Sequence, residues 1–261
     1  MKVAAAQISC LPGDVGANLL KIREFSSRAK ESGADLIVFP EMADTGYSMP
    51  AIQKHAAAWS GGAVSELQKL AKGLAIALVS GVSEREDETI YNSQVFIDAN
   101  GAIAGKYRKT HLFTGVPVPE SECFAPGNEF SSFAFGGLRF GFSICYDLRF
   151  PEVFRALALE QQAKVFVLSS AWPFPRIDHF RTLMAARAIE NQSYVIASNR
   201  VGTDDGVTCC GSSAIIDPYG VVVAAGSTDR EELVQAEISE ATVDLIRSRM
   251  AVFAERRPDL Y

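Results

Sequence analysis

The sequence predicts an α/β fold in which helices cover the outside of β-sheets. Strand-like and helix-like segments alternate in both halves of the chain. Several of the strand segments are short continuous apolar runs, the pattern of strands buried on both faces of a sheet. Between the halves lie two β-rich segments joined by a turn, and two sheets facing each other accommodate such hairpins.

Lys2–Ile8 (KVAAAQI) reads as a strand and meets a turn at Pro12 and Gly13. A helix from about Gly16 to Ser32 places Leu19, Leu20, Ile22, Phe25 and Ala29 largely on one face and stops at Gly33. Asp35–Pro40 (DLIVFP) is a buried strand, a second helix covers about Ala63–Lys72, and Ile76–Val82 returns as a strand. TIYNSQVFID and GAIAGKYRK form a hairpin around Ala99, Asn100 and Gly101. The second half repeats the alternation: strand Leu138–Ile144, helix Pro151–Gln162, strand Val165–Ser169, helix Asp178–Asn191 and strand Tyr194–Ser198. A hairpin turning at Asp217–Gly220 and a short helix near Glu240–Ser248 follow. No linker, low-complexity run or charge block interrupts this order, so residues 1–261 are expected to form one domain.

Composition narrows the function classes. Hydrophobic residues at 48% and charged residues at 21% match a globular protein with a large core. A net charge of −6 with mixed signs argues against a nucleic-acid or anionic-membrane surface. No apolar run approaches the roughly 20 residues that span a bilayer, and the apolar part of MKVAAAQISC is too short for a signal peptide. The cysteines (Cys10, Cys123, Cys145, Cys209 and Cys210) include no CxxC pair, which argues against a disulfide framework. His55, His111 and His179 fall in no cluster spaced to ligate zinc, so no metal is expected. A reduced cytoplasmic compartment is the expectation that follows.

Three ionisable residues stand at the ends of predicted strands: Glu41 after LIVFP, Lys109 after GAIAGKYR and Cys145 after RFGFSI. Ligands of open α/β sheets collect beyond the carboxyl ends of strands, where loops on a rigid scaffold converge. Taken singly, a glutamate, lysine or cysteine at a strand end is more often surface decoration, an ion pair or core filling than a catalytic group. Jointly they are chemically coherent. A lysine stabilises a thiolate and then an oxyanion, a glutamate moves the thiol proton to a departing amine, and the helix expected after Cys145 offers backbone N–H groups, Tyr146 first.

FPEMADTGY (Phe39–Tyr47), YRKTHLF (Tyr107–Phe113) and ICYDLRFPE (Ile144–Glu152) resemble the three signature blocks of the nitrilase, or carbon–nitrogen hydrolase, superfamily. The likeness continues through ARAIENQSYV, GSSAIIDPYG and the tail RRPDLY, so it covers essentially the whole chain in order. The resemblance implies a four-layer αββα sandwich that dimerises into an eight-layer assembly, with no metal or coenzyme. It implies a Glu–Lys–Cys triad at Glu41, Lys109 and Cys145, and a further glutamate in PESECFAPG, assigned to Glu120 rather than Glu122, that orients Lys109 and the substrate amide.

CYDLRFPE is more similar to the amidase branches than to true nitrilases. SSAWPFPRIDHFR (Ser169–Arg181) resembles the corresponding block of bacterial omega-amidases, which hydrolyse 2-oxoglutaramate and 2-oxosuccinamate; the deaminated-glutathione amidases are the close rival. A small carboxylate-bearing amide needs a cation, and an arginine fork supplies parallel hydrogen bonds. Arg176 is the first choice and Arg149 the second, although Arg149 also has a plain role open to it as a partner of Asp147. Tyr47 and Trp172 are pocket walls or packing. A serine amidase using Gly211–Ser213 would need a partner lysine in a Ser-rich motif, and the segment reads instead as a strand before the Asp217–Gly220 turn; a catalytically silent binding protein need not keep Glu41, Lys109, Cys145 and Glu120.

Overall fold

The computed structural model describes residues 1–115 and 119–260. Its first half runs β1 (Lys2–Gln7), α1 (Val15–Glu31), β2 (Leu36–Val38), α2 (Met49–His55), α3 (Gly62–Leu74), β3 (Ala77–Glu86), β4 (Thr89–Ile97) and β5 (Ile103–Arg108). After a 3₁₀ turn at Glu120–Glu122 come β6 (Ser132–Phe135), β7 (Leu138–Ile144), a second 3₁₀ turn at Cys145–Arg149, α4 (Pro151–Leu159), β8 (Val165–Ser170), α5 (Ile177–Asn191) and β9 (Tyr194–Asn199). The chain closes with β10 (Val201–Asp204), β11 (Val207–Cys210), β12 (Ala214–Ile216), β13 (Val222–Ala225), β14 (Glu232–Glu237) and α6 (Glu240–Arg249).

Strand periodicity turns these elements into layers. Successive side chains on a strand point to opposite faces, and in β1 Val3 and Ala5 join one core cluster while Ala4 and Ala6 join another. The first cluster lies between two sheets: Val3, Leu36, Val38, Val79 and Phe96 meet Phe133, Phe142, Ile144, Val167 and Ile196. The outer face of the first sheet packs Ile37 and Leu78 on Ile22, Phe25 and Leu67 of α1 and α3. Phe166, Leu168, Val195 and Ala197 pack the second sheet on Phe154, Leu157, Phe180 and Met184 of α4 and α5. The result is the helix–sheet–sheet–helix sandwich that the resemblance implied.

Both sheets follow one plan. Three parallel strands form the centre, β1–β2–β3 in one and β7–β8–β9 in the other, and antiparallel strands extend them to β14–β1–β2–β3–β4–β5 and β13–β12–β9–β8–β7–β6. Polar stitches cross the otherwise apolar joint. Ser169 Oγ donates to the Phe39 carbonyl at 2.7 Å and accepts from Gln94 Nε2 at 2.8 Å, and Ser198 Oγ donates to the Ala6 carbonyl at 2.6 Å. Ring stacking of Phe96 on Phe133, centroids 3.9 Å apart, crosses the same joint.

Several elements depart from the sequence expectation. Leu20 does not share the buried face of α1 and is 68% exposed. α4 starts at Pro151 as expected but ends at Leu159 rather than Gln162, and the residues directly after Cys145 form a separate 3₁₀ turn before it. β3 reaches Glu86 rather than Val82 because β4 pairs with it along its whole length, from Leu78↔Ile97 to Glu86↔Thr89. Gly211–Ser213 connects β11 to β12 and is not itself a strand. No helix is long and apolar enough to cross a membrane among the described residues.

Candidate active site

Strand ends deliver Lys109 and Cys145 to one cleft and Glu41 to the buried layer against Lys109. β5 ends one residue before Lys109, β7 ends one residue before Cys145, and Phe39–Pro40 carry the chain from β2 to Glu41. Glu41 and Lys109 arise from the first sheet and Cys145 from the second. Gly81 on β3 lets the Glu41 backbone settle onto the sheet: a Cβ there would lie 2.5 Å from the Pro40 oxygen and 2.6 Å from Glu41 Cα.

Lys109 is 1% exposed and sits between two carboxylates that are 0% exposed. Its Nζ donates to Glu41 Oε1 and to Glu120 Oε1, both at 2.8 Å. Buried charges persist only when paired and hydrogen-bonded, and the surroundings meet that condition. Asn92 Nδ2 donates to Glu41 at 2.7 Å and to Glu120 at 3.1 Å. The Ala171 N–H, at the end of β8, reaches Glu41 Oε2 at 2.9 Å. Glu120 also receives the Tyr47 hydroxyl at 2.7 Å and the Phe113 N–H at 2.6 Å. Glu122 is exposed, so the two glutamates of PESECFAPG are sharply distinguished.

Electrostatics follow from this geometry. Burial alone would drive the proton off Lys109, but the carboxylates of Glu120 and Glu41 overcome it and hold its pKa above the ordinary lysine value. Burial raises the Glu41 carboxyl, and Lys109 only partly pulls it back. Burial first and the Glu41 carboxylate second push the Cys145 thiol well above its usual range, outweighing Lys109. This direction favours the thiol over the thiolate at Cys145, so of the two roles that the sequence reading gave the neighbours, a carboxylate that takes the thiol proton fits it better than a lysine that holds a thiolate.

Cys145 opens its 3₁₀ turn with φ +41°, a left-handed conformation that costs a non-glycine residue on the order of 1 kcal/mol. Asp147 over-determines that turn. Its carboxylate accepts from the Tyr107 hydroxyl at 2.8 Å, the Ile144 N–H at 2.9 Å, His111 Nδ1 at 3.0 Å and the His111 N–H at 3.2 Å. Asp147 is thus turned inward and does not pair with Arg149. The Arg149 guanidinium instead lies 4.7 Å over the Trp172 ring.

The cleft above the cluster encloses about 740 Å³, mouth included, and both Cys145 and Lys109 line it. Tyr47, Tyr146, Arg149, Trp172 and Arg176, all expected from the sequence, line it too. Arg176 is carried over the Phe113 ring at 5.5 Å, and its backbone carbonyl accepts from Trp172 Nε1 at 2.8 Å. Among the described residues no group of three or more His, Cys, Asp or Glu side chains is arranged to hold a metal. Sequence reasoning missed Asn92, Asp147, Arg200 and the β10–β11 hairpin. Only the hairpin had a local signal, Asp205–Gly206 between Thr203 and Thr208.

Comparisons with known proteins agree with this architecture. Residues 2–248 match the model of the carbon-nitrogen hydrolase family. A 2-oxoglutaramate amidase of Bacillus subtilis (strain 168) is 37% identical over 259 residues, covering 97% of this chain and 98% of its own. An omega-amidase of Homo sapiens is 30% identical over 264 residues, covering 98% and 94%. A mutant of the amidase of Nesterenkonia sp. AN1, solved with the acetamide moiety of fluoroacetamide covalently added at its active site cysteine, superposes with a TM-score of 0.88 at 25% identity, covering 100% of this chain and 95% of that one. The chain belongs to the carbon–nitrogen hydrolase family, within the amidase branch of the nitrilase superfamily, whose members hydrolyse carbon–nitrogen bonds other than peptide bonds.

Proposed function

We propose that the protein is an omega-amidase-type enzyme that hydrolyses the terminal amide of a small carboxylate-bearing substrate, 2-oxoglutaramate or 2-oxosuccinamate, to the 2-oxo acid and ammonia. The observation that carries this reading is the Lys109 ammonium held 2.8 Å from both Glu41 and Glu120, in the same cleft as Cys145 and beneath cationic walls. The names of the Bacillus subtilis and human relatives support the substrate class, and the adduct on the Nesterenkonia cysteine supports Cys145 as nucleophile.

In this reading Glu41 takes the thiol proton as Cys145 Sγ attacks the amide carbon. The negative oxygen of the tetrahedral species meets the Lys109 ammonium and the Tyr146 N–H. Glu41 passes its proton to the nitrogen, the C–N bond breaks and ammonia leaves a thioester. Water then attacks the thioester, giving its proton to Glu41; the C–S bond breaks and the thiol regains that proton. Glu120 keeps Lys109 in place, and Tyr47 and Trp172 shape the pocket. Arg176 and Arg149 are the cations that the sequence offered for the far carboxylate.

The test is ammonia release by the purified protein from 2-oxoglutaramate, 2-oxosuccinamate, deaminated glutathione, an aliphatic amide and an N-carbamoyl amino acid, with Cys145→Ala as the blank. Turnover of the 2-oxo amides that disappears in the variant is the expected result. Preference for deaminated glutathione moves the substrate to that neighbouring branch, and turnover that survives in Cys145→Ala overturns the mechanism. The homodimer implied by the resemblance belongs to the same proposal. Exposed Tyr219, Val221, Val222 and Val223, near Ile189, offer it an apolar surface, and sedimentation measures it.

A further inference from the structure

Arg200 is the most deeply buried arginine of the cleft and the least satisfied. It follows β9 directly, is 1% exposed, and lines the same cleft as Cys145 and Lys109. Its Nη2 donates to the Cys10 carbonyl at 2.8 Å, and the guanidinium pairs with Asp204 four residues ahead. Nε and Nη1, which together carry three N–H groups, have no hydrogen-bond partner among the described residues. A buried donor without an acceptor opposes folding, and this side chain buries two such nitrogens. Arg149 and Arg176 are partly exposed and rest on aromatic faces. A charge held away from water attracts an anion far more strongly than one that water screens.

Asp204 occupies this cation from a distinctive support. β10 and β11 form a two-stranded sheet separate from the two six-stranded ones, and Asp204 pairs with Val207 across a two-residue turn. Both turn residues, Asp205 and Gly206, have positive φ, +48° and +80°, as the tight primed turns require. The far end of the hairpin is anchored: Val201 N–H reaches the Ile8 carbonyl at 3.1 Å and Cys210 N–H reaches the Trp172 carbonyl at 2.9 Å. Asp204 lies at the turn end, where the pairing consists of four residues a side and an isolated two-stranded ribbon is marginal.

From these observations we infer that Arg200 determines specificity for the carboxylate end of the substrate, and that Asp204 is its resident counter-ion, exchanged for that carboxylate on binding. The inference rests on the proposed carboxylate-bearing substrate class. It assigns the carboxylate to Arg200 in place of the wall arginines and gives the hairpin a role: holding a carboxylate where the substrate's own will stand.

The experiment compares kcat/KM for glutaramate and for pentanamide, which differ by a carboxylate against a methyl group, in the full chain. Their ratio is the discrimination. Arg200→Gln and Arg200→Lys are expected to lower it by about tenfold or more, the worth of a charge-assisted hydrogen bond. Asp204→Asn removes the competing anion and is expected to raise it several-fold, through KM for glutaramate. If both Arg200 variants fold poorly, Asp204→Asn decides: discrimination that stays level or falls overturns the inference. Discrimination that responds to Arg149→Gln or Arg176→Gln, and not to Arg200 or Asp204, overturns it while leaving the omega-amidase reading intact. A native protein that does not favour glutaramate over pentanamide overturns both.

Discussion

The Asp147 carboxylate accepts a 2.8 Å hydrogen bond from the Tyr107 hydroxyl, and this bond fastens the lysine strand to the cysteine turn. Tyr107 stands two residues before Lys109, and Asp147 two residues after Cys145. The two side chains proposed to act together are therefore clamped from behind, across the joint between the sheets. Removing the clamp in Asp147→Ala leaves the Tyr107 hydroxyl, the Ile144 and His111 N–H groups and His111 Nδ1 facing a void. Loss of such buried partners costs about 3 kcal/mol, which lowers Tm by about 6–12 °C for a chain of this size. Misalignment of the thiol against Lys109 lowers amide turnover by about 100-fold. Thermal denaturation and ammonia release measure the two effects separately.

Replacing Glu41 with Gln has opposite effects on thiol acidity and on catalysis. Burial and the Glu41 carboxylate both raise the Cys145 pKa, and Lys109 opposes them. Neutralising Glu41 removes one raising influence, so the thiol pKa falls and alkylation of Cys145 by iodoacetamide begins at lower pH. Amide hydrolysis drops by about 10²–10⁴-fold, the usual contribution of a general base. Mass spectrometry of the alkylated protein across a pH series gives the profile, and an unmoved midpoint would show that Glu41 does not face the sulfur.

Gly81 tests how closely the proposed base, Glu41, must be seated. A methyl group added there meets the Pro40 oxygen at 2.5 Å and Glu41 Cα at 2.6 Å, both backbone atoms that cannot swing aside. Gly81→Ala is expected to shift Glu41 and cut kcat by about 10–100-fold, with a lower Tm. Native kcat in this variant would mean that the Glu41 loop tolerates displacement.

Glu84, 2% exposed, anchors the β3–β4–β5 corner away from the cleft. Burial alone would raise its carboxyl, but hydrogen bonds from Arg108, Lys106 and Ser93 overcome burial and hold it below the ordinary value of 4.5. A depressed folded pKa contributes stability that is present above the unfolded value and lost as pH falls through the folded one. Glu84→Gln is therefore expected to lower Tm at pH 7 by about 2–6 °C. The gap between variant and native protein should narrow below pH 4.5, and a gap independent of pH would remove the ion pairs as its cause.

Much of the fold was legible because its signals are local. DLIVFP and VFVLS announce strands with two dry faces, Pro151 marks the start of α4, and the apolar spacing of α3 needs no partner to be read. Leu20 shows where periodicity alone fails: it lies at the edge of the apolar stripe, and tertiary packing of α1 on α3 decides that it faces water. Glu41, Lys109 and Cys145 were readable as strand-end residues. Asn92, by contrast, is an ordinary residue within a strand, and its hold on both Glu41 and Glu120 exists only once β4 lies beside β3 and β5. The inward turn of Asp147 and the idle nitrogens of Arg200 likewise come from segments distant in sequence, so no local pattern records them.

The serine stitches between the sheets make activity a gauge of shear. Ser169 and Ser198 fix the second sheet to backbone carbonyls of the first, and the proposed base and nucleophile stand on opposite sides of that seam. Neither half of the chain carries a complete set of groups. A disturbance that slides one sheet past the other by an ångström would silence the enzyme while every strand ladder within each sheet stayed intact. Loss of turnover should therefore precede loss of secondary structure as the protein is loosened, and the seam, more than either sheet, is the element that sets how much heat or denaturant function withstands.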